Sequence, residues 1–218
     1  MYVIGAYVML GILSTFLAQS YTHVNILLFT GAAIILPFRY VLTDIIAEIY
    51  RMKAAMHAMA LLILTSLMFF FLAYFISGFH NPSISFFEAH HFTHAELLKA
   101  VASHDSYHIL LSSSVYNTVY ASMSVVVGLT INNILMIKIL PKVKFLKKFT
   151  MRSFVSSAIG DLFQYWFGLT LILWGKMPYT MILHAILSDY IVQVSILLII
   201  VPIGGILMRA IFKIENRS

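Results

Sequence analysis

Four pairs of polar residues interrupt stretches that are otherwise apolar. Asp44 and Glu48 lie four apart in "RYVLTDIIAEIY" (Arg39–Tyr50), Asn132 and Asn133 are adjacent, Asp161 and Gln164 lie three apart, and Asp189 and Gln193 lie four apart. On a helix, residues three or four apart share a face, so each such pair points one way. A carboxylate accepts two neighbouring N–H bonds, and a carboxamide both donates and accepts. Tyr40, Tyr50, Phe163, Tyr165, Trp166 and Tyr190 stand close by in sequence and supply flat aromatic faces. Together these types suit a flat heterocycle rich in N–H donors. They do not suit covalent catalysis. No nucleophile, base and orienting group come together as a set. The phosphate loop "GxxxxGK[ST]" does not occur, and the absence of cysteine removes disulfides, thiolate metal sites and thiol nucleophiles. Ser156 and Ser157 read as small packing residues near a helix start. The chain is therefore expected to have no catalytic residues, no cofactor and no resident metal.

Such groups need helices to hold them, and the solvent for those helices is a bilayer. Of 218 residues, 61% are hydrophobic and only 10% are charged, with a mean hydropathy of +0.93. A soluble domain has about a quarter of its residues charged. The chain reads as one all-α integral membrane domain over 1–218. A span needs about 20 apolar residues, and six stretches qualify: Tyr2–Ala18, Asn25–Tyr50, Ala54–Ser77, Ser114–Ile139, Arg152–Trp174 and Thr180–Ile211. The first has no basic region before it and reads as retained, not as a cleaved signal. Pro37 lies in the second span and could kink it, while "VPIGG" (Val201–Gly205) is expected to interrupt the sixth.

The net charge of +6 invites a nucleic-acid reading, but its distribution argues for topology. Arg51 and Lys53 follow the second span. Lys138, Lys142, Lys144, Lys147, Lys148 and Arg152 flank the junction of the fourth and fifth, and Arg209, Lys213 and Arg217 close the chain. Lys99 and Lys176 fall on the other side. The positive-inside rule then puts both termini in the cytoplasm, and an even number of spans agrees with that. The loop 78–113 faces outward. It carries "EAHHFTHAE" (Glu88–Glu96), in which His90 and His94 could chelate zinc if helical. The plainer reading is an amphipathic element anchored at the interface by Phe86, Phe87 and Phe92.

Polar groups within spans cost several kcal/mol unless they pair, face a cavity or do chemistry. Taken singly, each is as much interhelical glue, worth about 1 kcal/mol or less, as ligand contact. Taken together on the second, fourth, fifth and sixth spans, they describe a polar pocket inside an apolar bundle. "LTDIIAEI" (Leu42–Ile49) and "LSDYIVQV" (Leu187–Val194) show one device used twice, an Asp with an acceptor one helical turn on.

"LPFRYVLTDIIAEIY" (Leu36–Tyr50), "MRSFVSSAIGDLFQYWFG" (Met151–Gly168) and "SDYIVQVSILLIIVP" (Ser188–Pro202) resemble the second, fifth and last helices of the queuosine precursor transporter family, also called vitamin uptake transporters. The resemblance implies a six-helix bacterial inner-membrane protein that imports 7-deazaguanine precursors of a modified tRNA base. It implies a fold similar to the substrate-binding subunits of energy-coupling-factor transporters. The chain departs from the family at four places. Amides stand at Asn132 or Asn133, Gln164 and Gln193 where the family has Asp, Asp and Lys, and Arg51 replaces a glycine. Loss of two acids and one base together reads as a coordinated change, since an unpaired buried charge is costlier than a neutral pair, and it leaves the exact substrate open.

The expected substrate contacts are Asp44, Glu48, Asn132, Asn133, Asp161, Gln164, Asp189, Gln193 and Tyr40. Asp44 and Glu48 would accept ligand N–H groups, and the amides would read other polar edges. Arg152 is expected to be structural. Arg39 lies roughly 140° around the helix from Asp44 at 3.6 residues per turn, a poor placing for a pair. The partners are a small molecule and the lipid bilayer, without nucleic acid. A homo-oligomer or an energising partner is open. So is the driving force: a proton gradient acting through Asp44 or Glu48, exchange, facilitated diffusion or an external module. A carrier for a vitamin, and a non-transporting membrane partner protein, are the alternative readings.

Overall fold

The computed structural model describes residues 2–18, 21–24, 27–77 and 116–215. The loop 78–113, expected to face outward and carrying the clustered histidines, lies outside them. Five long helices, one hairpin and a short 3-10 turn at Lys144–Leu146 make up the described chain: α1 (Tyr2–Leu17), β1 (Tyr21–Val24), β2 (Leu27–Thr30), α2 (Ala32–Ser77), α3 (Tyr116–Lys142), α4 (Phe149–Leu173) and α5 (Tyr179–Glu215). The predicted second and third helices together form α2, and the predicted fourth, fifth and sixth are α3, α4 and α5.

Three of these are long and apolar enough to cross a membrane: Ala32–Ile76, Tyr116–Lys142 and Tyr179–Lys213. Their outer faces carry the side chains a bilayer would solvate, with Phe71, Leu198, Ile199 and Ile206 all more than 60% exposed. At 1.5 Å per residue, α2 is about 67 Å long, twice the ~30 Å hydrocarbon core. It is not straight. Arg51 has φ 72° and ψ 168°, which divides α2 into limbs 32–50 and 52–77. That region of backbone space belongs to glycine, and another residue held there stores roughly 1–3 kcal/mol. Arg51→Gly is therefore expected to stabilise the protein by about 1 kcal/mol, after allowing for the greater freedom of glycine in the unfolded chain. A raised thermal midpoint in detergent, against no gain for Arg51→Ala, checks this.

Three expectations are corrected. The second helix does not begin at Asn25: β1 and β2 pair antiparallel, Tyr21 opposite Thr30 and Val24 opposite Leu27, and the helix starts at Ala32. Threonine and β-branched residues at 22, 24 and 30 favour the pleated form. The described fold is all-helical apart from this one two-stranded hairpin. Secondly, α5 runs unbroken through Pro202 and the two glycines. Val41 fills the space beside Gly204, where an added Cβ would lie 2.1 Å from its Cγ1. Those glycines serve close helix contact and do not end the helix. Thirdly, α3 does not run as regular helix to Ile139, because its last turn opens into a π-turn over Leu135–Ile139 before Pro141. Proline has no N–H to continue the ladder.

Three apolar clusters hold the bundle. Tyr7, Ile46, Ala58, Leu62 and Leu129 join α1, α2 and α3. Leu36, Leu169, Leu173, Ile182 and Ile186 join α2, α4 and α5 at one end, and Val41, Ile45, Met136, Phe149, Leu197 and Val201 do so at the other. Between them α3 and α4 touch backbone to backbone. A Cβ on Gly160 would lie 2.8 Å from the Gly128 carbonyl oxygen, and one on Gly128 would lie 2.7 Å from the Tyr40 hydroxyl. Only glycine permits this approach, and it brings the polar faces of α2, α3 and α4 together.

Candidate functional site

The antiparallel course of α2 and α4 stacks the polar residues in layers along the bundle. Ser153, Ser157, Asp161 and Gln164 follow one another at helical spacing on α4. Glu48, Asp44, Tyr40 and Leu36 do the same on α2. Each layer then finds its partners across the interface.

The layer at the basic end is an ion pair. Arg152 Nη2 donates to Glu48 Oε1 at 2.6 Å, and Glu48 is 27% exposed. Lys142, Lys144, Lys147 and Lys148 are exposed at the same end. One turn further in, Asp44 is fully buried and accepts three hydrogen bonds: Asn132 Nδ2 at 2.7 Å, Ser153 Oγ at 2.5 Å and Ser157 Oγ at 3.0 Å. It pins α2, α3 and α4 together. Ser157 is more than the packing residue expected of it, since it is one of these donors. Ser156 donates only to the carbonyl of Ser153.

The next layer is incompletely paired. Arg39 Nη2 and the Tyr40 hydroxyl both donate to Gln164 Oε1, at 3.0 and 2.8 Å, and the Arg39 guanidinium lies 5.6 Å from the Tyr40 ring centre. Arg39 thus turns away from Asp44, towards α4. Asp161 has Tyr40, Arg39 and Gln193 as polar neighbours. The Tyr40 hydroxyl is given to Gln164, and Gln193 lies within reach of Asp161; both carboxylate oxygens, both polar atoms of Gln193 and Arg39 Nε have no formed hydrogen bond. Asn133 is fully buried, with its Nδ2 3.9 Å from Met56 Sδ and its Oδ1 unpartnered.

Beyond Gln164, at the end away from the lysines, lies a cavity of about 240 Å³. That is below the ~300–1,000 Å³ of sites for drug-sized ligands, so it suits a small solute. Apolar walls come from Ala18, Ala32, Leu36, Ala121, Gly168, Leu169 and Ile172. The polar lining is Thr15, Thr30, Asn117, Ser124, Gln164, Tyr165 and Asp189. Asp189 Oδ1 accepts the Thr30 backbone N–H at 2.7 Å. Its Oδ2 has only a long contact of 3.3 Å from the Thr30 hydroxyl, which leaves it as the cavity's anionic acceptor. Because two donors occupy Gln164 Oε1, the amide N–H groups of Gln164 are what it can still offer. The Tyr165 hydroxyl has no partner.

Of the nine residues expected to contact substrate, Gln164 and Asp189 line the cavity. Tyr40 and Asp161 stand in the layer beneath it, with Gln193. Asp44, Asn132 and Glu48 are engaged with the protein's own groups nearer the basic end, and Asn133 faces Met56. Asn117, Ser124, Thr15 and Thr30 were not foreseen. A lone hydroxyl or amide near a helix end carries no signal in one sequence. The run Ser153–Ser157–Asp161–Gln164 did carry one, a single polar face on α4. Among the described residues no group of three His, Asp or Glu side chains is placed to hold a metal.

The described residues thus form an apolar helical bundle with a small cavity of mixed polar and apolar lining at one end. The chain belongs to the family described as "Putative vitamin uptake transporter", whose model matches residues 30–207, and this family includes queuosine precursor transporters. Comparison with curated proteins and with solved structures returned no match.

Proposed function

We propose that the protein is a six-span carrier of a bacterial inner membrane that imports a small flat heterocycle of the 7-deazaguanine type. The observation that carries this reading is the cavity. Asp189 presents a carboxylate acceptor, Gln164 presents amide donors, and the Tyr165 ring and the aliphatic walls of α2 and α4 accommodate a ring face. A 2-amino-lactam edge offers adjacent N–H donors to a carboxylate, and a neighbouring carbonyl can accept from an amide. The six crossings are α1, the two limbs of α2, α3, α4 and α5. The basic end faces the cytoplasm by the positive-inside rule, so the cavity opens outward.

Cells lacking their own importer should regain the queuosine modification when they express this protein and are fed a deazaguanine. Normal expression without rescue by any deazaguanine refutes the substrate. A second reading, a carrier for a vitamin, is favoured by the amides that replace family charges at Asn132 or Asn133, Gln164 and Gln193. Thermal-shift screening separates the two: a vitamin that stabilises the purified protein while deazaguanines are inert decides for the second.

A further inference from the structure

We propose that Asp161 is a proton-binding site that couples solute uptake to a proton gradient, with proton and solute moving in the same direction. This rests on the carrier reading above.

Four carboxylates lie along the described core, and three are matched. Asp44 has three donors, Glu48 has Arg152, and Asp189 has Thr30. Asp161 is fully buried and has no formed hydrogen bond, with Tyr40 and Gln193 as the donors within its reach. A buried carboxylate without hydrogen bonds is among the costliest groups a protein can hold, and a state of the molecule that compensates it is expected. The groups around it identify that state. From α2 come Arg39, Tyr40 and Asp44, from α5 Gln193 and Tyr190, and from α4 itself Tyr165. At this level α3 contributes Gly128 and Asn132, which are uncharged. Arg39 opposes any positive charge added here, a proton's included, and opposes a divalent metal ion twice as strongly. The backbone of the preceding residue, Gly160, packs directly against Gly128. A proton needs neither room nor a coordination shell.

The same residues link this site to the cavity. Arg39 and Tyr40 both neighbour Asp161, and both donate to Gln164 Oε1. A charged Asp161 competes with Gln164 for these two donors. When a proton from external water forms an O–H bond on Asp161, its charge goes from −1 to zero and the competition ends. Arg39 and Tyr40 then stay on Gln164 and hold its amide N–H groups ready for solute. The arrangement seen here, with both donors on Gln164, is that one. Proton and solute thus favour each other's binding, and by linkage the effect is mutual. When the bundle opens to the other side, the O–H bond breaks, the proton passes to cytoplasmic water, and Gln164 is released with the solute.

The test uses the full chain in proteoliposomes with a labelled 7-deazaguanine. The wild type should accumulate the probe when the outside is acidic, and a protonophore should abolish this. Asp161→Asn mimics the protonated carboxyl. It should keep counterflow exchange within about threefold and lose pH-driven accumulation by at least tenfold. Accumulation that survives the protonophore overturns the inference and requires no variant. So does an Asp161→Asn protein that still accumulates, or that is folded yet loses counterflow too. A wild type with no counterflow of any deazaguanine instead refutes the carrier reading, and this inference falls with it.

Discussion

Asp44→Ala is expected to cost the folded protein about 3 kcal/mol. The substitution strands Asn132 Nδ2, Ser153 Oγ and Ser157 Oγ together, all on fully buried residues. An unsatisfied buried donor costs roughly 1–3 kcal/mol. Side-chain hydrogen bonds within membranes average nearer ~0.6 kcal/mol, because the unfolded chain also finds partners there. Three at once, on two neighbouring helices, come to about 2 kcal/mol at the membrane figure and about 3 kcal/mol at the lower end of the burial figure. Asp44→Asn keeps one acceptor oxygen and should lose about half as much. Thermal midpoints from detergent-solubilised protein measure both. An unchanged midpoint for Asp44→Ala would show that the three-helix pin is not a stabilising contact. Solute affinity per folded molecule of Asp44→Asn should stay within about threefold of wild type, because Asp44 does not line the cavity.

Asp189→Asn is expected to do the reverse. The asparagine oxygen can still accept the Thr30 N–H that ties β2 to α5, so the thermal midpoint should change little. The anionic acceptor facing the cavity is lost. A hydrogen bond to a charged group contributes roughly 1.5–3 kcal/mol, and each ~1.4 kcal/mol is tenfold in affinity. Binding of a deazaguanine should therefore weaken about 10- to 100-fold. Isothermal titration or a shift assay with purified protein reads this directly. Equal affinity in wild type and Asp189→Asn would remove Asp189 from the recognition site. Asp189→Ala should lose both affinity and the tie to Thr30, and the contrast between the two variants separates recognition from folding.

Asp44 and Asp189 look alike in sequence. Each is an aspartate with an acceptor four residues on, in an apolar span. Their surroundings differ because Asp44 meets Ser153, Ser157 and Asn132 from two other helices, whereas Asp189 meets one hairpin residue at the rim of a cavity. Periodicity reports which residues share a face of one helix. It does not report which face of another helix lies opposite, and that opposing face decides whether a carboxylate is consumed by the protein or left for a ligand. Arg39 makes the same point. Its angle around α2 made a pair with Asp44 unfavourable, yet its actual acceptor, Gln164, lies 125 residues away.

Composition and spacing alone determined that this chain lives in a bilayer, that its helices are apolar outside and polar within, and where most of those helices begin and end. These properties follow from transfer free energies and from helical geometry, which act residue by residue. The bend of α2 at Arg51 appeared only in the structure, because periodicity does not report the backbone angles of a single residue. The hairpin before α2, the unbroken course of α5 and the division of the polar residues into an ion pair, a three-helix pin, an unmatched layer and a cavity were decided by tertiary structure. Each depends on how closely two helices approach, and that distance is set by glycines such as Gly128 and Gly160 meeting across an interface that no single helix contains.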